Sequence, residues 1–334
     1  MTTNGDRANR ELVLDALRSS EKLVVVTHEN PDGDALGSLI AMQEILTALG
    51  KDSVMFIAAS EFPLPYEYRF LPLSGLVTEP PPDLDERTIV FLDCGNIERN
   101  PAEAFRTGNP PSQRILNIDH HHDNTLFGTV NLVAPDASCT AEIVFDLLGP
   151  LGVEPTSTIA NALYVGLITD TGRFMYQNTG AGAHLMAARL IEAGVEVHEI
   201  YRRVYEDVPY GKLALLARGL ANVRRFDDGR LTVTLLSQSD FQASGAEESY
   251  SEGLIDHLRA VQGTAVAALV RDRIGDADGL RKVSLRASDG RVDVSRIARA
   301  QGGGGHRQAA GFSTAMEWDD LVDFLRDQVA AQLA

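Results

Sequence analysis

The chain has 334 residues, 44% of them hydrophobic, and a formal charge of −17 from 30 Lys+Arg against 47 Asp+Glu. That length supports two domains with full cores, and the acidity argues against a protein that grips long nucleic acid, which needs a basic face. Two cysteines, Cys94 and Cys139, are too few and too far apart for a zinc motif or a disulfide framework; Cys94 reads as a small buried residue.

The opening, Met1 to Arg10, is polar and charged without an apolar signal region, and no stretch approaches membrane-spanning length, so the expectation is a cytoplasmic protein. Residues 11–19 read as a helix and Leu23-Val24-Val25-Val26 as a buried strand. Directly after it comes Thr27-His28-Glu29-Asn30-Pro31-Asp32-Gly33-Asp34. Pro-Asp-Gly is an ordinary turn, but a turn does not need an imidazole and two carboxylates together. An EF-hand is excluded, because the position that should carry an acidic or amide ligand is Leu36. Helical periodicity follows over 35–49 and stops at Gly50.

Residues 53–57 read as a strand and 62–82 as a long irregular connection. Strand 88–92 then ends in Asp93, and strand 114–118 ends in Asp119-His120-His121-His122. Helices are predicted over 140–148, 158–167 and 183–193, and the apolar segment 159–168 delivers Asp170. Short apolar strands alternating with helices imply an α/β fold built on a parallel sheet, in which functional groups gather beyond the carboxyl ends of the strands. Carboxylates at the ends of apolar segments are costly unless neutralised, and a hydrolytic metal centre is the economical answer.

One or two connecting helices are predicted over 196–224. The alternation Leu231-Thr232-Val233-Thr234-Leu235 opens a second domain, with strands near 265–271 and 281–287 and helices over 293–300 and 318–333. This divides the chain into a catalytic domain, 1–195, a helical linker, 196–228, and a smaller α/β domain, 229–334.

Charge is uneven. Residues 251–334 are near neutral, so the first 250 carry almost all the acidity. Within 281–307 the sign reverses: Arg281, Lys282, Arg286, Arg291, Arg296, Arg299 and Arg307 face Asp289 and Asp293. A cationic island on an acidic protein suits a small anionic ligand. It ends in Gly302-Gly303-Gly304-Gly305-His306-Arg307, which is either a hinge or a backbone cradle for phosphate. It is neither a Rossmann fingerprint nor a P-loop, since a helix precedes it and no Gly-Lys-Ser/Thr follows.

Asp119-His120-His121, with the His-x-x-x-Asp-x-Asp turn before it, resembles the DHH phosphoesterase superfamily, and Gly302 through Gly311 resembles the signature of the DHH-associated C-terminal domain. In size and layout the chain is similar to the stand-alone nanoRNase / pAp phosphatase group. The resemblance implies His28, Asp32 and Asp93 around one divalent ion and Asp34, Asp93, His120 and Asp170 around another, with Asp93 shared. A carboxylate- and imidazole-rich set favours Mn²⁺, with Mg²⁺ or Co²⁺ as alternatives. Asp119 would orient the site, His121 would position or protonate substrate, Asn124 would support the loop, and His122 would lie at the surface. Arg286 matches the family's substrate-binding arginine, with Gly303, Gly304, Gly305, His306 and Arg307 beside it, across a cleft between the domains. The implied activity is hydrolysis of very short RNA and of 3′-phosphoadenosine 5′-phosphate (pAp), not of long duplexes, by a chain for which a homodimer is plausible. Competing readings are a phosphodiesterase dedicated to pApA or pGpG, a manganese pyrophosphatase, a RecJ-like exonuclease, and a catalytically silent nucleotide sensor.

Overall fold

A computed structural model describes residues 4–107, 113–272, 280–288, 290–305 and 307–333. The chain folds as two compact units, Met1–Asp207 and Val208–Ala334.

The first unit is built on a six-stranded sheet in the order β3-β2-β1-β4-β5-β6, with every pairing parallel. Its strands are β1 (Lys22–Val26), β2 (Asp52–Phe56), β3 (Leu76–Val77), β4 (Thr88–Leu92), β5 (Ile115–Asp119) and β6 (Val130–Val133). β1 and β4 are unbroken apolar runs because both sheet faces are covered. Val25, Val90 and Leu92 pack into a core with the helices on one face, whereas Val24, Val26, Ile89 and Phe91 join a smaller core on the other. The strand order reverses between β1 and β4. That reversal opens a crevice at their carboxyl ends.

Helix α1 (Asn4–Ser19) precedes the sheet, and α2 (Gly33–Ala48), α3 (Glu103–Arg106), α4 (Thr140–Leu151), α5 (Ser157–Asp170) and α6 (Ala181–Glu192) follow its strands. Both α2 and α5 are apolar nearly all round, as helices buried in a core must be. They cross closely because small residues meet there: a Cβ at Gly37 would lie 2.3 Å from the carbonyl oxygen of Ala162. The unit closes with α7 (Val197–Tyr201) and one π-helical turn, Arg202–Glu206.

The second unit starts with α8 (Tyr210–Ala221). It carries a sheet ordered β11-β12-β10-β9-β8-β7, built from β7 (Arg224–Phe226), β8 (Leu231–Leu236), β9 (Val266–Asp272), β10 (Arg281–Ala287), β11 (Gly304–Gly305) and β12 (Ala309–Thr314). The β8–β9 pairing is parallel and the others are antiparallel. One face packs on α8, α9 (Gln238–Ser244) and α10 (Leu254–Arg259), the other on α11 (Val294–Arg299) and α12 (Trp318–Leu333).

The structure differs from these expectations in several places. Helix α1 begins at Asn4 rather than at residue 11, the irregular stretch 62–82 contains the two-residue β3, too short for any pattern to register, and β6, β7, β11 and β12 extend the two sheets beyond the predicted strands. Among the described residues no helix is long and apolar enough to cross a membrane.

Candidate metal centre

The ends of β1 and β4 are laced together before any metal ligand is placed. Thr27 donates its hydroxyl to the Leu92 carbonyl at 2.9 Å, and Asn100 donates its amide to the Thr27 carbonyl at 2.7 Å. His28 is buried, with Nδ1 2.6 Å from the Glu29 carbonyl. That contact assigns the proton to Nδ1 and leaves Nε2 facing Asp93 Oδ2 at 3.4 Å. Asp32 is the N-cap of α2: its Oδ1 accepts from the backbone N–H groups of Asp34 and Ala35, both at 3.0 Å. One carboxylate oxygen therefore sets the helix start while the other stays available. Asp34, in the first turn, is buried and accepts from the N–H groups of Thr140 at 2.6 Å and Ala141 at 2.8 Å, which join it to the start of α4.

Asp93 occupies the centre. It lies 2% exposed at the end of β4 with a left-handed φ of 56°, a conformation a non-glycine residue adopts only at a cost the surroundings must cover. Its Oδ2 faces His28, and its Oδ1 faces His120 Nε2 at 3.6 Å and accepts the Thr140 hydroxyl at 2.9 Å. At the end of β5, buried Asp119 accepts from His121 Nδ1 at 2.7 Å with one oxygen and from Asn124 at 2.5 Å with the other. Asp170 is the last residue of α5, with Oδ2 3.8 Å from His120 Nε2 and bonded by the Asn178 amide at 3.0 Å.

Ligand atoms within three sets lie inside 4.8 Å of one another: His28, Asp32 and Asp93; Asp34, His120 and Asp170; Asp93, His120 and His121. Every expected metal ligand from the N-terminal unit is thus in one cluster, with Asp93 common to two sets. Asp119 touches His121 rather than entering any set, and His122 is exposed.

The electrostatics call for a cation. Burial, then the charges of Asp93 and Asp32, push the Asp170 carboxyl up to about 8. Burial and the neighbouring carboxylates Asp93, Asp170 and Asp32 likewise push Asp34 up. Burial alone would raise Asp93 as well, but the His28 hydrogen bond and the three surrounding histidines outweigh it and hold Asp93 low. His121, although disfavoured by burial, is raised to about 9 by its Asp119 hydrogen bond and by Asp93. Crowded carboxylates with imidazoles and no thiolate donor fit hard or borderline divalent ions.

The C-terminal candidates do not gather in one place. Val283, Leu285 and Ala287 of β10 face α11 and α12, so alternation turns Ser284 and Arg286 to the other face. Arg271, nearly buried, donates there to Ser284 at 3.1 Å, and Arg286 donates to the Leu285 carbonyl at 3.1 Å. Arg307 instead donates to the Gly290 carbonyl and lines a cavity of about 450 Å³ with Arg291, Arg296 and Gln332. Within the glycine run, Gly303 is pressed on Gly311, where a Cβ would lie 2.2 Å from the carbonyl oxygen, whereas a Cβ at Gly304 would meet nothing within 4 Å. Packing explains the first glycine and not the second. His306 lies outside the described residues, as does Asp289.

Three residues of the site carry no signal in the sequence: Thr140, Asn178 and Arg99. Arg99, on the turn after Asp93, places a guanidinium nitrogen 3.1 Å from His28 Nδ1. A Thr opening a helix and an Asn in a turn are everyday cap and loop residues, and an Arg six residues after Asp93 has no motif to mark it.

A parallel sheet with a carboxylate–imidazole cluster at its switch point, followed by a second mixed sheet, defines a two-domain α/β metal-centre protein. The chain belongs to the DHH family: the DHH family N-terminal domain matches residues 22–167 and the DHHA1 domain matches residues 230–332. It is 36% identical to the bifunctional oligoribonuclease and PAP phosphatase NrnA of Thermus thermophilus, over 96% of this chain and 94% of that protein. It is 24% identical to the Bacillus subtilis protein of the same name, over 92% of this chain and 93% of that one. Among solved structures, an exopolyphosphatase-related protein from Bacteroides fragilis superposes with a TM-score of 0.87 at 23% identity, covering 97% of this chain and 96% of that chain. The exonuclease RecJ bound to manganese shares the fold at a TM-score of 0.53 and 18% identity, covering 99% of this chain and 95% of that one.

Proposed function

We propose that this chain is a cytoplasmic metal-dependent phosphoesterase that hydrolyses very short RNA oligonucleotides and pAp. The observation that carries the reading is the double facing of Asp93, one oxygen toward His28 and the other toward His120. A carboxylate so placed can be shared by two cations at the separation that phosphoryl-transfer sites use, about 3.5–4 Å. In this reading His28, Asp32 and Asp93 hold one ion and Asp34, Asp93, His120 and Asp170 the other. The donor set favours Mn²⁺, with Mg²⁺ or Co²⁺ as alternatives, and the fold neighbour RecJ is known with manganese and with magnesium bound.

When bound, the cation pair supplies Lewis acidity toward the phosphoryl group and an activated water near neutral pH. The chain's own residues do the rest. Asp119 accepts the Nδ1–H of His121 and, with Asp93, favours the imidazolium form of that ring, so Nε2 also carries a proton. His121 would donate that Nε2 proton to the leaving oxygen and be left as the neutral imidazole with its proton on Nδ1. Asn124 holds the second oxygen of Asp119 and keeps that carboxylate from rotating into the cluster. From the C-terminal unit, Arg286, the backbone of Gly303, Gly304 and Gly305, and His306 would recognise the nucleotide, and the space around Gly304 supports an approach to its backbone; Arg307, on the opposite face of the sheet from Arg286, drops out of that set.

The names of the Thermus and Bacillus relatives support the substrate class. The test is a ladder of 5′-phosphorylated RNAs of increasing length alongside pAp, with protein stripped of metal and reloaded with Mn²⁺. Turnover of the shortest RNAs and of pAp is expected. No turnover of either would end the proposal, and turnover of pApA or pGpG alone would point to a dedicated dinucleotide phosphodiesterase.

A further inference from the structure

Arg99 is anchored through its backbone, and among the described residues its side chain makes one polar contact, with His28. The backbone around it is clamped to the end of β1: the Arg99 carbonyl accepts from the Glu29 N–H at 2.7 Å, and the adjacent Asn100, 1% exposed, donates to the Thr27 carbonyl. The Asn96 side chain caps the turn by accepting from the Glu98 N–H at 3.1 Å. This turn carries a half-buried guanidinium to His28, whose other ring nitrogen faces Asp93, and close enough to His121 for its charge to act on that imidazole.

In such surroundings an arginine is expected to pair with a carboxylate. Among the described residues Arg99 makes no ion pair within 4.0 Å; its one polar side-chain contact is with His28 Nδ1 at 3.1 Å. That contact is not a hydrogen bond if Nδ1 carries the proton it shares with the Glu29 carbonyl at 2.6 Å, since both groups are then donors. Nor are Nε and Nη1 sealed away, since neither has a partner and neither is among the buried unpartnered atoms. Donors are therefore held beside the cluster, exposed to whatever enters, and committed to no acceptor.

Charge balance says what should enter. Asp32, Asp34, Asp93 and Asp170 offset two divalent cations, so a phosphate ester adds negative charge that nothing else in the cluster answers except His121. Phosphoryl transfer is accelerated chiefly by cationic groups set against the equatorial oxygens. We infer that Arg99 is a phosphate-clamping residue of the N-terminal unit, contacting a non-bridging oxygen of the scissile phosphate. This rests on the phosphoesterase reading above and extends it to a residue that no ligand set contains.

The experiment uses the full-length chain as wild type, Arg99→Ala and Arg99→Lys, each stripped and reloaded with Mn²⁺. Turnover of pAp, competitive inhibition by orthophosphate, and Mn²⁺ binding to the metal-free protein by calorimetry are all measured. Arg99→Ala should lower kcat/KM by about 10²–10³-fold, the range for losing one preorganised transition-state donor. Orthophosphate affinity should fall by about tenfold or more, and Arg99→Lys should recover part of both losses. Mn²⁺ affinity should be unchanged or improved, because a positive charge has left the cluster. The inference is overturned if Mn²⁺ affinity falls in step with activity, which would make Arg99 a support for His28, or if orthophosphate affinity is unaffected. A wild-type protein inactive on every phosphate ester would instead sink the functional reading itself.

Discussion

The hydroxyl of Thr140 donates to Asp93 Oδ1 at 2.9 Å while its backbone N–H donates to Asp34 Oδ2 at 2.6 Å. One residue at the start of α4 thereby holds two carboxylates belonging to different elements, α2 and the end of β4. Thr140→Val removes the first bond and keeps the second. We expect kcat/KM to fall by about 10–100-fold, as for partners that orient metal ligands, with about 1 kcal/mol lost in stability. Thr140→Ser should retain most of both, and steady-state kinetics with chemical denaturation reads them separately.

Asp93→Asn tests the shared carboxylate directly. Hydrolysis should drop to background, and elemental analysis should find the wild-type metal content reduced. A variant still binding two ions would show that Asp93 is not shared. A nucleotide sensor would have no turnover to lose.

Removing metal should make stability pH-dependent with a definite sign. Asp170 keeps a proton up to about 8 in the folded state, whereas its ordinary value is 3.8, so folding takes up a proton between those limits. Stability of the metal-free protein then falls as pH rises from about 4 to about 8. His121, raised from 6.5 to about 9, acts in the same direction: its contribution is whole below 6.5 and disappears as pH climbs to 9. Thermal melts in EDTA should show Tm declining across this range, and Mn²⁺ should flatten the decline, since metal competes with those protons.

Both cysteines should be silent toward alkylating reagents in the folded protein. Burial pushes the Cys94 thiol up to about 12 and raises Cys139 as well. Mass spectrometry after iodoacetamide treatment near pH 8 should find no adduct natively and two after denaturation, because the thiolate is the reactive form.

Gly166→Ala probes the α2–α5 crossing. Its Cβ would come within 2.9 Å of both Asp34 Oδ1 and the Ala141 side chain. Overpacking of this kind costs about 1–3 kcal/mol, and here it should also weaken Mn²⁺ binding, because the intruding methyl meets a carboxylate of the proposed metal cluster. Unfolding curves and calorimetric titration would reveal a loss in one without the other.

The strands that end in His28, Asp93 and Asp119 were legible because an apolar run closing on a charged group is a strong local signal, and because each of these residues follows or ends its strand within a few positions. The proposed ligand roles of Asp34 and Asp170 needed the family pattern, as a carboxylate on a buried helix has several local explanations. What the sequence hid is contact that no local pattern marks. Thr140 meets Asp34 across 106 residues, and Asn178 reaches back to Asp170 through a loop with no periodicity. The opposite facing of Arg286 and Arg307 was hidden for another reason: it depends on the pleat of β10 and on a turn whose backbone only glycine permits.

Helix α5 ends on Asp170 with no basic residue in its last turn, so a carboxylate occupies the pole where the backbone dipole is already negative. A divalent ion there would act as the missing counter-charge for the helix as well as a reagent for chemistry. Loading the protein with cation should therefore slow amide exchange over the closing turn of α5, giving an observable of occupancy that needs no substrate at all.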